Sequence, residues 1–173
     1  MAALRKMLGR PDDPLCREMM AVIDTQSLQT LVAWAADTAL QRYLPVYEAA
    51  GGEPALRQEA EACRELIGAG GKPAALAPHL RELTRLARET QGAAAQAAAR
   101  AVSVACGVMR SPGNALGFVF YGAAAMAYSQ AGVHETSEVY DQLARQEWTA
   151  VLDSLKMAAL PDEENPVKID WNC

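Results

Sequence analysis

One stretch of the sequence decides the fold of this chain. Residues 93–130 read AAAQAAARAVSVACGVMRSPGNALGFVFYGAAAMAYSQ. Residues 93–109 are almost all alanine, valine and serine, and residues 115–130 are similarly apolar, so both segments predict helices that lack a wide polar face. The sequence SPGN at 111–114 is typical of a turn. The stretch therefore predicts a buried helical hairpin, in which alanine and glycine let the two helix axes approach closely.

The composition of the whole chain agrees with a helical protein. Alanine accounts for 35 of 173 residues, and alanine is the strongest helix former and is depleted in strands. Aromatic residues make up only 6%, which argues against a β-sandwich or barrel. With 51% hydrophobic and 21% charged residues, the chain can build the core of one globular domain and is not a disordered protein.

Amphipathic helices are predicted on both sides of the hairpin. Four helix starts are marked by a capping serine or by proline at a first helical position: Pro14, Ser27, Pro54 and Pro73. Apolar residues then recur at three- and four-residue steps, and Pro45 is expected to end or kink the second helix. A last helix is predicted from about residue 135 to residue 159, before Pro161. The predicted architecture is an all-α, single-domain bundle of six or seven helices with the alanine-rich hairpin at its centre.

The two ends of the chain are predicted to lie outside the helices. Residues 1–12 contain glycine, proline and two aspartates and are expected to form a loose leader. Residues 161–173 are expected to form an extended acidic tail that docks Trp171 on the bundle. Apolar residues alternate in this tail, which also fits a short strand, but no partner strand is predicted.

Charge and cysteine content exclude several classes of protein. The net charge is -5 without any basic run, which argues against nucleic-acid binding and is compatible with a basic protein partner. No apolar segment reaches the roughly 18 residues of a membrane span, and the first residues lead into no signal-peptide segment. We therefore expect a cytoplasmic protein with reduced, mostly buried thiols, of which Cys173 is the most exposed. The cysteines are Cys16, Cys63, Cys106 and Cys173.

No pattern in the sequence predicts a catalytic or metal centre. Neither His79 nor His134 has a glutamate three residues before it, so the Glu-x-x-His pattern of dimetal bundles is absent, and so is HExxH. Cys106 is interpreted as a small core residue, although a cysteine–histidine pair would form only in the folded chain. The glycine-rich residues 68–72 lack Walker spacing and predict a linker. We expect no metal, no cofactor and no enzymatic activity.

Four residues are candidates for a binding site. Arg100 lies in the middle of the most apolar helix, where an isolated charge is costly, so we expect Asp37 or Glu48 to pair with it. The alternatives are that Arg100 reaches the surface along its aliphatic stem or binds an anion. Trp34 lies at the edge of an apolar stripe, and a half-exposed tryptophan beside carboxylates can anchor a protein partner. Ordinary packing at the edge of the core is the alternative for Trp34.

Part of the chain resembles a known bacterial family. Residues 31–48, LVAWAADTALQRYLPVYE, resemble the opening motif of the immunity-protein-five-like family of polymorphic toxin systems. That motif contains a tryptophan, an Ala-Asp step, leucine-proline, an aromatic residue and glutamate. Residues 61–64 are similar to the family's second helix, and residues 93–102 and 123–128 are similar to its Ala-Ala-Arg-rich centre. The resemblance covers roughly residues 28–131. It departs from the family in the central hairpin, which commonly carries histidines and here has none.

The resemblance implies a non-enzymatic helical protein that binds and occludes a cognate toxin. In this hypothesis an acidic helical surface steers the encounter, and anchors such as Trp34 hold the complex. Two alternatives stay open: a small-molecule binder or minor enzyme with an anion-accepting pocket near Arg100, and a protein that forms a homodimer through an apolar face. A polar cavity lined by Arg100 would favour ligand binding, whereas a closed core would favour protein interaction.

Overall fold

The computed structural model describes residues 3–172 as an all-α fold. Seven helices of ten to 22 residues and one six-residue helix follow one another along this part of the chain. They are α1 (Pro14–Ile23), α2 (Leu28–Arg42), α3 (Leu44–Ala49), α4 (Pro54–Gly68), α5 (Pro73–Glu89), α6 (Ala93–Cys106), α7 (Asn114–Ala131) and α8 (Ser137–Ala158). Within residues 3–172 there is no strand, only an isolated antiparallel bridge between Ser27 and Pro166. The predicted fold class is confirmed.

The helix boundaries follow local capping signals. Asp13 accepts a hydrogen bond from the amide of Leu15 at the start of α1, and the Ser27 hydroxyl accepts one from the Thr30 amide at the start of α2. Helices α4 and α5 begin with proline, whose missing amide hydrogen costs nothing in the first turn. The break between α2 and α3 falls at Tyr43, so Pro45 lies in the first turn of α3, and the predicted interruption of the helix near Pro45 is present.

The central hairpin is formed by α6 and α7, which share the most extensive contact between any two described helices. The alanines expected in its core are completely buried: Ala98, Ala101, Ala105 and Ala124. Leu152 of α8 is also buried. Phe120 is only partly buried, because it lies at the edge of the hairpin, where its ring packs edge-to-face on Trp148 with ring centroids 4.7 Å apart. The buried hairpin is therefore confirmed, with Phe120 at its margin.

The segment before α1 is not loose. Leu8 is completely buried, its amide donates to the Phe120 carbonyl at 3.0 Å, and its carbonyl accepts a hydrogen bond from Trp148 Nε1 at 3.0 Å. The Tyr128 hydroxyl donates to the carbonyl of Arg5 at 2.6 Å. These partners lie more than one hundred residues away in the sequence, so the local composition of the segment does not reveal them.

The acidic tail follows an extended course over the junction of α1 and α2. The amide of Val167 donates to the Gln26 carbonyl at 2.8 Å. The buried side chain of Gln26 bonds both the carbonyl and the amide of Leu160, at 3.0 and 2.9 Å. The indole of Trp171 donates to the carboxylate of Asp24 at 3.0 Å. The tail is therefore held to the bundle at several points along its length.

The described cysteines are buried, and the described helices include no candidate membrane span. Cys16, Cys63 and Cys106 are buried, whereas Cys173 lies outside the part of the chain that the structure describes. Among the helices of residues 3–172, none combines the length and the apolar character needed to cross a membrane.

Candidate functional site

Trp34 belongs to the core and does not lie half-exposed on the surface. Only 6% of the residue is accessible, and its indole nitrogen donates to the hydroxyl of Ser154 at 3.0 Å. Its ring meets the edge of Phe118, with centroids 5.3 Å apart. Trp34 therefore joins α2 to α7 and α8. The expectation of a surface anchor at this residue is wrong, because the indole finds its hydrogen-bond partner inside the bundle.

The carboxylates of Asp37 and Glu48 bind arginines of α4. Arg64 donates to both oxygens of Asp37, at 2.6 and 3.2 Å, and Arg57 donates to both oxygens of Glu48, at 2.7 Å each. The hydrogen bonds from Arg57 lower the pKa of Glu48. Arg57 and Arg64 are seven residues apart, two helical turns, and so share one face of α4. Neither carboxylate pairs with Arg100, so the predicted ion pair is wrong.

A buried ionic cluster connects the end of α2 with α8. Glu147 is 4% exposed and accepts two hydrogen bonds from Arg42, at 2.8 and 2.6 Å, and one from the Tyr43 hydroxyl at 2.8 Å. Burial, together with the charge of Glu147, raises the pKa of Tyr43 well above its usual value. This cluster was not predicted from the sequence. The feature that could have indicated it is a glutamate at position 147, which lies three residues after Ala144 within the apolar stripe of α8.

The thiols of Cys63 and Cys106 form a second buried pair, between α4 and α6. The hydrogen bond between them lowers the pKa of Cys63 and, together with burial, raises the pKa of Cys106 well above its usual value. Both residues are completely inaccessible, so neither thiol can reach a substrate in this conformation. His79 instead pairs with Glu59, at 2.6 Å. Cys106 is a core residue, as its sequence context predicted.

The strongest candidate site lies where α5, α6 and α7 meet. We call it the arginine face and define it by seven residues: Arg81, Thr84, Arg88, Arg100, Ser103, Arg110 and Tyr121. The three from α5 follow each other at steps of three and four residues and therefore share one side of that helix. The Thr84 and Ser103 hydroxyls lie 3.3 Å apart and join α5 to α6 across this surface.

Two adjoining grooves run along the arginine face. One has a volume of about 240 Å³ and is lined by Arg88 and Arg100 together with Ser103 and Tyr121. The other has a volume of about 380 Å³ and is lined by Arg81, Arg88 and Arg110 among others. Thr84 and Arg88 line both, so the two shallow grooves adjoin on one surface.

The charges of the arginine face are uncompensated within the described chain. Four guanidinium groups form no ion pair and no side-chain hydrogen bond with residues 3–172: those of Arg81, Arg88, Arg100 and Arg110. The neighbouring Arg85, in contrast, is bound by Glu82 and Glu89. Arg100 is half-buried. Arg100 was predicted from the sequence as a candidate, but the other arginines were not. They lie near Arg100 only because α5 packs against α6, which the sequence does not show.

A larger groove elsewhere carries compensated charges. It has a volume of about 640 Å³ and lies between the N-terminal segment, α1 and α8. Its arginines are largely paired: Arg5 binds Asp141 at 2.6 Å and Arg145 binds Asp13 at 3.1 Å. Paired arginines attract an anion less strongly than unpaired ones. The arginine face is therefore the better candidate for recognition of a charged partner.

Two further properties concern the whole described region. Every buried side-chain nitrogen and oxygen in residues 3–172 has a hydrogen-bond partner. No three histidine, cysteine, aspartate or glutamate side chains in that region are grouped as metal ligands would be. The arginine face is thus a surface feature on a core whose polar groups are satisfied.

Comparison with known proteins identifies the family. A sequence model of the family described as "Imm-5 like putative immunity protein" matches residues 21–149. This range includes α2 to α7, the first half of α8 and all residues of the arginine face. Comparisons with curated proteins and with solved structures gave no match. Because the match covers most of the chain, this protein belongs to the Imm-5 like immunity protein family.

Proposed function

We propose that this protein is an immunity protein that neutralises a cognate bacterial toxin by binding it, without catalysing a reaction. The observation that carries the proposal is the family match over residues 21–149. The proposal includes action in the cytoplasm, where the buried thiols of Cys63 and Cys106 stay reduced.

The construction of the bundle supports a binding role. Within residues 3–172 the buried side-chain nitrogens and oxygens are hydrogen-bonded, and the segments that flank the helices are tied to them at Leu8 and Trp171. A preformed surface loses little conformational entropy when it meets a partner, which favours tight association. Neutralisation then follows from occlusion of the toxin and requires no group transfer. The proposed contact surface shifts from the α2 carboxylates, which are paired, to the arginine face.

A second candidate function is the binding of a small anion. It is favoured by the groove of about 240 Å³, in which Arg88 and Arg100 lie beside Ser103 and Tyr121. In this case the protein would be a small-molecule binder, and a free anion such as inorganic phosphate would saturate the groove.

The test uses the genes that flank this gene in its genome. Each is expressed in a bacterial host with and without this protein, and growth is recorded. We expect one of them to be toxic alone and harmless in the presence of this protein, and the two proteins to co-purify as a stable complex.

A titration of purified toxin separates binding from catalysis. If the protein is a stoichiometric binder, toxin activity falls linearly with added protein and is abolished at a fixed molar ratio. Light scattering gives the stoichiometry of the complex independently and shows whether it contains a homodimer of this protein. Complete inactivation by a small fraction of that amount would mean that the protein is an enzyme. Failure to protect against any flanking gene product would overturn the proposed function.

A further inference from the structure

We propose that the arginine face is the docking site for a carboxylate-rich surface segment of a partner protein. This inference rests on the proposed function, in which the partner is a toxin.

The four arginines of the arginine face are available to an external anion. None of Arg81, Arg88, Arg100 and Arg110 has an acceptor within residues 3–172, although the chain contains 21 acidic residues against 16 basic ones. The half-burial of Arg100 removes part of its hydration without replacing it by an acceptor, which has a cost. An external anionic group would remove that cost.

The arginine face is long enough to contact several anionic groups of a partner. Arg81 and Arg88 are seven residues apart on α5, which corresponds to about 10 Å along the helix axis. Arg100 and Arg110 extend the surface across α6 and the turn that follows it. The arginine face is therefore an elongated, open surface with two shallow grooves. It fits several negative groups arranged along a helix or loop better than one small anion.

The chemistry of the arginine face favours carboxylates over phosphates. A guanidinium group binds a carboxylate through two parallel hydrogen bonds, and Arg42, Arg57 and Arg64 already do so within this protein. Compact phosphate sites commonly use the free amides of a helix N-terminus, whereas Arg81, Arg88 and Arg100 lie inside helices whose amides are bonded. The net charge of -5 repels the long phosphate backbone of a nucleic acid.

The direct test uses a fluorescent peptide of about ten glutamates as the probe, with its binding measured by anisotropy at low ionic strength. We expect saturable binding that weakens as salt is added, because exposed charges are screened. The variant Arg88→Glu/Arg100→Glu should bind the peptide at least about tenfold more weakly. Arg88→Gln/Arg100→Gln should lie between that variant and the wild type.

A matched control separates the arginine face from net charge. Lys72 and Lys168 are exposed, form no ion pair within residues 3–172 and lie outside both grooves. Lys72→Glu/Lys168→Glu changes the net charge by the same amount and should keep the affinity within about twofold. Circular dichroism confirms that each variant is folded. Equal loss of binding in both charge-reversal variants, or no peptide binding by the folded wild type, would overturn the proposal.

Two competing ligands and the toxin complete the test. Tighter binding of a single-stranded oligonucleotide, or displacement of the peptide by millimolar inorganic phosphate, would also overturn it. In the growth assay, Arg88→Glu/Arg100→Glu should lose protection while the lysine control retains it. If the folded arginine variant still protects, the immunity function stands and the docking site lies elsewhere. If wild type does not protect either, the proposed function itself has failed.

Discussion

The ring of Tyr43 lies directly against Gly122. A Cβ atom placed on Gly122 would stand 2.1 Å from Cζ of Tyr43, far inside van der Waals contact. The Tyr43 hydroxyl, which also lies next to Gly122, donates to Glu147 at 2.8 Å. Tyr43 lies between the end of α2 and the start of α3. Its contacts with Gly122 of α7 and Glu147 of α8 therefore determine how this junction packs in the bundle.

The first prediction compares two glycines of α7. Gly122→Ala should lower the free energy of unfolding by about 1–3 kcal/mol, because the rigid Tyr43 ring must move. Gly117→Ala meets nothing closer than 3.9 Å and should stabilise the helix by up to about 1 kcal/mol. Urea unfolding followed by circular dichroism measures both. Equal effects of the two substitutions would contradict the close packing of Tyr43 on α7.

The second prediction concerns the buried carboxylate. Glu147→Gln should destabilise the protein by about 1–3 kcal/mol, since it removes the counter-charge of the partly buried Arg42 and weakens the hydrogen bonds of the cluster. Asp153→Asn is the control, because Asp153 is exposed on the same helix, away from its first turn, and forms no ion pair in the described chain. Its effect should stay within about 0.5 kcal/mol. A Glu147 variant as stable as the wild type would show that the cluster contributes nothing.

The third prediction is a dependence of stability on alkaline pH. Burial first, and the charge of Glu147 second, raise the pKa of Tyr43 above its usual value, whereas an unfolded tyrosine ionises near pH 10, its approximate reference value. Above that pH the unfolded chain loses a proton that the folded chain keeps, so the unfolding free energy falls as pH rises.

The same measurement on Tyr43→Phe isolates this contribution. The variant is expected to be less stable near neutral pH, because it lacks the hydrogen bond to Glu147, but to lose stability less steeply above about pH 10. Some dependence should persist, since burial also raises the pKa of Tyr128. Parallel curves for wild type and variant between about pH 8 and about pH 11 would contradict the assignment.

The fourth prediction is a double-mutant cycle. Asp37→Ala and Arg64→Ala should couple by about 0.2–1 kcal/mol, as expected for a partly exposed pair. Asp37→Ala and Arg100→Ala should be additive, because these residues form no ion pair. Chemical denaturation of the single and double variants provides both coupling energies. Strong coupling of Asp37 with Arg100 would contradict the observed pairing.

The fifth prediction tests the core of the hairpin. Ala101 is completely buried between α6 and its neighbours, so Ala101→Leu should overpack the hairpin and cost about 1–3 kcal/mol. Ala75→Leu introduces the same side chain on the exposed side of α5 and should be nearly neutral. Thermal unfolding distinguishes the two. Unchanged melting of the Ala101 variant would mean that the helices are further apart than described.

Local sequence determined the helices of this protein. Asp13 and Ser27 cap helices, and Pro54 and Pro73 open them, through interactions that reach no further than one turn. The hairpin was also predictable, since helices without a polar face are stable only when they are surrounded. These features depend on residues that are neighbours in the chain, and a single sequence contains them in full.

Tertiary structure alone decided the partners of the long polar side chains. Trp34 is buried because Ser154, 120 residues further along, supplies its acceptor, and Asp37 binds Arg64 because α4 packs on α2. Helical periodicity shows which face of a helix is apolar, but not which helix covers it. For that reason Arg100 could be recognised as unusual from the sequence, whereas its lack of a carboxylate partner within residues 3–172 appears only when α5, α6 and α7 come together.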